Sequence, residues 1–340
     1  MSRPVRGLTV GRTLVPLVIL LLGLPARALA HGPDPGPPDP SLLVTGWSFH
    51  VEVWLPILVA GWGYRVLMRR VNAAHPTNPV PRYRWWAWLG GLGALILALA
   101  SPIERYDTTR FSVHMVQHLL LAFAAAPLLV MGAPVTLLLR AATPKARNEL
   151  ILPVLHSRAM RVIANPLVTW GLFALVMWGS HFSPLFDAAL EDPFIHLLEH
   201  GLYLATAMLF WYPVIGADPG PYRLAHPARV GYVALGMPFG SFLGLAIFSA
   251  TTVLYPHYAT LNLPWGPAPL DDQALAGGLR WAIGDGVFIV AIVLAAAVWL
   301  RSEEEQGRRI DAQLDREARA AAARGAGAGV AGSTAEGDAG

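Results

Sequence analysis

The apolar residues of this chain fall into long unbroken runs, not into the alternation of a strand or the one-sided stripe of a soluble helix. Seven runs, near 46–68, 84–101, 111–139, 165–182, 193–215, 227–255 and 273–300, approach or exceed the ~20 residues that cross a ~30 Å hydrocarbon core. Backbone in lipid must satisfy its own hydrogen bonds, so each run predicts a helix. The expected fold is all-α, a polytopic bundle of seven transmembrane helices. The third and sixth runs exceed one bilayer and are expected to tilt or project.

Residues 1–30 read as a signal peptide. Arg3, Arg6 and Arg12 precede a short apolar run, Leu14 to Leu24, and Ala28-Leu29-Ala30 has the A-x-A form of a cleavage site. Cleavage there leaves His31 at the mature N-terminus; an uncleaved signal anchor is the alternative. Residues 31–45 form a Pro-rich extracytoplasmic lead-in. The membrane domain occupies 46–300. The tail, 301–340, starts charged and turns Ala/Gly-rich, which predicts a short exposed helix followed by disorder.

Composition agrees with this class. The 340 residues are 54% hydrophobic and 14% charged, against about 25% charged in soluble proteins. Lys and Arg set the orientation. Eleven of them, between Arg69 and Arg229, fall in the loops after runs one, three and five, whereas the opposite loops hold Arg105 and Arg110. The basic side is cytoplasmic, so the N-terminus is outside, the C-terminus inside, and the protein a multi-pass cell-membrane protein. No cysteine is present, which removes disulfides, iron–sulfur clusters, thiolate metal sites and Cys nucleophiles. No phosphate-binding Gly-rich loop, G-x-S-x-G motif or nucleic-acid signature occurs, and the basic residues are topological.

Placed on this topology, His31, His50, His114, His118, His181, His196, His200 and His257 lie at or near the outer side. His181 or His257 alone reads as an interfacial histidine. Two pairs say more. His114 and His118 are one turn apart on one face of the third helix, flanked by Met115. His196 and His200 repeat the spacing on the fifth, with Glu199 and Tyr203 on the same face. Both pairs begin ~3 residues inside their outer helix ends, so their depths match at ~1.5 Å per residue. Facing pairs at equal depth can give four imidazoles to one metal or to two small sites; structural hydrogen bonding is the alternative.

Imidazole suits zinc and copper, and thioethers shift the choice toward Cu(I). Met115, and Met237 deep in the sixth run, favour copper, although Met also fills gaps between helices. A mature N-terminal His31 adds an amine and an imidazole suited to Cu(II). Asp285, ~18 Å into the seventh run, is costly there without a partner or hydration, and Trp281 precedes it by one turn. Gly236, Gly240 and Gly244 permit close helix approach. Glu52, beside His50, reads equally as a rim ligand or an interfacial charge.

Two other motif readings compete. His196-Leu197-Leu198-Glu199-His200 matches H-x-x-E-H, in which Glu is the general base of a zinc hydrolase. Bis-His ligation between the third and fifth helices would instead hold haem b.

Ser101-Pro102-Ile103-Glu104, His114-Met115-Val116-Gln117-His118, His196 to His200 and Trp281 to Asp285 together resemble the seven-span CtaG-like cytochrome c oxidase assembly factors associated with caa-type oxidases. The resemblance implies a non-enzymatic role: delivering copper from the outer side to the catalytic subunit of a haem–copper oxidase. Copper uptake across the membrane is a close alternative. The partners it implies are oxidase subunits and an extracytoplasmic copper chaperone, with membrane lipid around the bundle. On this reading His114, His118, His196 and His200 are ligands and Met115 a soft ligand. Glu199 and Asp285 orient imidazoles or gate the site, and Tyr203, Trp281, His50 and Met237 line the cavity.

Overall fold

A computed structural model of the protein describes residues 35–335. The expected signal peptide at 1–30, the candidate ligand His31 and residues 336–340 lie outside the described residues. Within them every regular element is helical.

Each of the seven apolar runs forms a helix: α1 (Val51–Ala74), α2 (Arg82–Leu99), α3 (Phe111–Ala141), α4 (Pro166–His181), α5 (Pro193–Ile215), α6 (His226–Phe248) and α7 (Pro269–Ala335). Five segments are long and apolar enough to cross a membrane: α1, α2 with its following turn to Tyr106, α3, α6, and α7 as far as Arg319. The other two predicted spans fall short of that test. α4 has 16 residues, and α5 carries His196, Glu199 and His200 in its first two turns.

Helix starts follow from local chemistry. Asn165 and Asp192 cap α4 and α5, each followed by proline at the first helical position, where its missing N–H costs nothing. The Asp192 carboxylate accepts from Phe194 and Ile195 N–H at 2.8 and 3.1 Å, so α5 begins one turn before His196. At α3 the cap comes from another helix. Asp272 of α7 accepts from Ser112 Oγ at 2.5 Å and from Ser112 N–H at 3.2 Å.

α3 is not one continuous α-helix. A π-helical turn, Leu120–Ala125, follows His118, a distortion common at functional sites. Ala133 then takes a left-handed backbone, φ 51°, before Pro134 restarts the helix. Asp218 caps the restart, accepting from Val135 and Thr136 N–H at 3.1 and 2.6 Å.

α3 is the most enclosed of the spanning segments, and α1 and α7 are the least. Aromatic rings fill the centre: Phe123, Phe173, Phe210, Trp211 and Phe288 meet one another edge-on or tilted, apart from the stacked Trp211–Phe288 pair. α6 and α7 form the most extensive helix pair. A Cβ on Gly277 would fall 2.4 Å from Phe248 N, and one on Gly244 2.8 Å from Trp281 N. Of the three glycines expected to allow close approach, Gly244 packs backbone against backbone, whereas Gly236 faces the Phe210 and Phe288 rings and Gly240 the Arg280 guanidinium.

The helix ends gather into two groups. One holds the histidine pairs, Asp107, Arg110 and the 256–268 segment, where His257 Nε2 donates to Thr108 O at 2.9 Å and Tyr258 OH to Asp107 O at 2.8 Å. The other holds Asp218, Asn78 and Arg140, whose guanidinium donates to the Asn78 carbonyl.

One difference concerns the tail. Disorder is expected after a short helix beyond residue 300, yet α7 runs on to Ala335. Alanine is the strongest helix former, and Glu304–Arg308 and Glu305–Arg309 pair at i,i+4, each at 3.8 Å.

Candidate metal centre

The two histidine pairs meet. His114 and His118 Nε2 lie 2.9 Å apart. The His114 and His196 rings stack with centroids 5.2 Å apart and planes at 27°, and the His118 and His200 rings cross at 5.7 Å and 87°. The equal depths read from the sequence become direct contact between α3 and α5.

Glu199 enters this cluster instead of standing behind it. Its Oε2 lies 3.8 Å from His114 Nε2 and 3.9 Å from His118 Nε2. The residue is 2% exposed, and neither carboxylate oxygen has a hydrogen-bond partner. A buried carboxylate left in this state is costly. Ligand bonds from imidazole and carboxylate are about 2.0–2.2 Å, so two donors to one ion stand at most about 4.2 Å apart. All three separations meet that limit. Two triads of donors have every atom within 4.8 Å of the others: His114, His118 and Glu199, and His114, His196 and His200. His114 belongs to both.

The rest of the expected site divides. Tyr203 lies beneath the cluster, fully buried, its ring 3.9 Å from that of His118. Its hydroxyl is 2.5 Å from Ser180 Oγ and 3.0 Å from His181 Nδ1. Met115, expected as a soft ligand, packs in the aromatic core with Phe111 and Leu119, because consecutive helical residues point ~100° apart. Met237 packs against the same core. Trp281 is 44% exposed on α7. Asp285 accepts from Ser241 Oγ at 2.7 and 2.8 Å. It lies 13 residues beyond Asp272, which anchors the histidine end, and so ~20 Å deeper along α7. His118, six residues past Ser112, is only ~9 Å in. Asp285 therefore lies ~11 Å deeper than His118, with Ser241 as its hydrogen-bond partner. His50 stays at the rim, 3.8 Å from Glu52.

Asp107 is absent from the sequence expectation. It is 1% exposed, with Oδ2 3.8 Å from His196 Nε2. Burial first, then the nearby Glu104 charge, hold its carboxyl well above the usual range. Its one legible signal was an acidic residue in a short loop seven positions ahead of His114. His181 is buried, bonded to Met177 O at 2.8 Å, and belongs to neither donor triad.

The profile of the family described as cytochrome c oxidase caa3 assembly factor matches residues 62–302. An uncharacterized protein of Mycobacterium bovis is 34% identical over 295 residues, covering 84% of this chain and 43% of its own length. One from Mycobacterium tuberculosis shows the same figures, and one from Mycobacterium leprae is 32% identical over 288 residues, covering 83% and 43%. The chain thus spans less than half the length of these curated relatives. No solved structure matches it.

Proposed function

This chain belongs to the cytochrome c oxidase caa3 assembly factor family, and from that membership we propose that it binds copper at the His/Glu cluster and delivers it to the oxidase catalytic subunit. The observation that carries this reading is Glu199. Its buried, unpartnered carboxylate faces two imidazole nitrogens at distances one ion can bridge. The donors of both triads are nitrogen and oxygen. The thioether argument for Cu(I) gives way to one for Cu(II), which such sites bind tightest among divalent first-row ions.

Neutral imidazoles and one carboxylate, without thiolate, hold copper with intermediate strength, as a donor that must release its cargo requires. On this reading the cluster, at the end of the bundle opposite the basic loops, faces the extracytoplasmic side. That is the side from which an extracytoplasmic copper chaperone and the oxidase would approach it. The chain itself carries out no reaction on this reading.

Deletion of the gene tests it. Oxidase activity and the copper content of the purified oxidase should fall together, with partial rescue by added copper. Full activity and full copper content in the deletion strain would contradict it.

A further inference from the structure

A chain of carboxylates leads to the cluster from the surface. Glu52, at the start of α1, is 36% exposed at its side chain. Glu104, in the Pro102–Tyr106 turn, is half-buried and within electrostatic reach of Glu52 and His50. Asp107 comes next, buried and within reach of both Glu104 and Glu199. Glu199 closes the series inside the donor cluster. The outer two are partly exposed and the inner two are buried.

Three separate segments are tied together to make it. Ser48 N–H donates to Ala100 O at 2.9 Å, holding the segment before α1 against the end of α2 beside the Glu104 turn. Tyr258 OH and His257 Nε2 clamp the carbonyls of Asp107 and Thr108. Asp107 Oδ2, buried and without a hydrogen-bond partner, points at His196 Nε2 from 3.8 Å.

The series has no fixed counter-charge. Among the described residues no Lys or Arg is ion-paired with Glu52, Glu104, Asp107 or Glu199. Arg110, buried and three residues past Asp107, donates to the carbonyls of Trp265 and Pro267 and stacks 4.4 Å over the Trp265 ring. Arg105 is exposed. A cation entering this low-dielectric wall meets carboxyl oxygens with which no Lys or Arg is paired.

We propose that Glu52, Glu104 and Asp107 form the inward route by which a divalent cation passes from the exposed face to the His/Glu cluster, Asp107 and His196 being the last step. This rests on the copper-binding reading above. A route differs from a binding site in what its loss changes. Loading slows, while the amount bound at equilibrium stays the same.

The test uses the full-length protein in detergent, stripped with chelator and mixed with Cu2+ alone. Loading rate at low and high salt, and copper per chain after overnight equilibration, are measured for wild type, Glu52→Gln, Glu104→Gln and the double variant. Circular dichroism and gel filtration check the fold. The expected result is an approximately tenfold slower loading for the double variant at low salt, a gap that closes at high salt as charges are screened, and wild-type copper at equilibrium. The Glu52→Gln variant, altered at the exposed rim, should show part of the slowing even if Glu104→Gln disturbs the turn. Loading within twofold of wild type at low salt overturns the route and leaves the copper site standing. Failure of the wild type to take up copper overturns both.

Discussion

His114 and His118 hold their Nε2 atoms 2.9 Å apart across one turn of α3, so one ring donates the hydrogen bond and the other accepts it. Copper binding by both nitrogens removes the shared proton. The His114–His118 hydrogen bond therefore stabilises the metal-free form and is exchanged for metal bonds on loading. Replacing His118 by Ala should cost the metal-free protein about 1–3 kcal/mol, the penalty for leaving a buried polar atom unpaired. Thermal unfolding of the chelator-treated variant should show it as a lowered Tm. A Tm equal to wild type would mean that this hydrogen bond contributes nothing.

Glu199 separates a carrier from an enzyme. Glu199→Gln keeps the shape of the side chain but replaces an anionic oxygen with a weaker neutral donor. Copper affinity should fall by about tenfold or more, and oxidase copper in cells should fall in proportion and recover with added copper. A hydrolase using Glu199 as general base would instead lose all function while retaining its metal. Unchanged affinity, together with a null phenotype that copper does not rescue, would favour that enzyme.

Packing between α6 and α7 makes a paired prediction. Gly277→Ala puts a methyl against the backbone of Phe248, which can yield only by moving a helix. We expect a loss on the order of 1–3 kcal/mol and reduced protein in the membrane. At neighbouring Gly278 a Cβ meets only the Phe248 ring, at 3.7 Å. Gly278→Ala should be neutral or stabilising by up to ~1 kcal/mol through helix propensity. Equal effects at the two positions would refute the close approach.

Orientation can be read directly because the chain has no native cysteine. Ser183→Cys, in the exposed turn between α4 and α5, should react with an impermeant thiol reagent in intact cells. Labelling only after lysis would place the histidine end in the cytoplasm.

The histidine pairs were legible because both helix period and depth follow from counting residues. Spacing by four fixes a face, and distance from the helix end fixes a level, so α3 and α5 could be matched before any contact was known. The positions of Met115 and Asp285 were not legible in the same way. Sequence adjacency put Met115 beside His114, whereas helix geometry turned it into the aromatic core. Burial of Asp285 suggested a role at the site, but its partner is Ser241 on a helix remote in sequence. The Asp107–His196 approach depends on how the 256–260 turn clamps the 107–108 backbone, a long-range contact that no local pattern encodes. The tail misled for a different reason. Its Gly content suggested disorder, while its Ala content and charge pairs extend α7.

X-ray absorption on copper-loaded protein, with copper per chain measured on the same sample, tests the centre most directly. The account predicts bound copper in the wild type with a first shell of nitrogen and oxygen at about 2.0–2.2 Å, imidazole scattering beyond it and no sulfur, and loss of that copper in the His118→Ala/His200→Ala variant. A wild type without copper, a sulfur shell at about 2.3 Å, or undiminished copper in the double variant would contradict it.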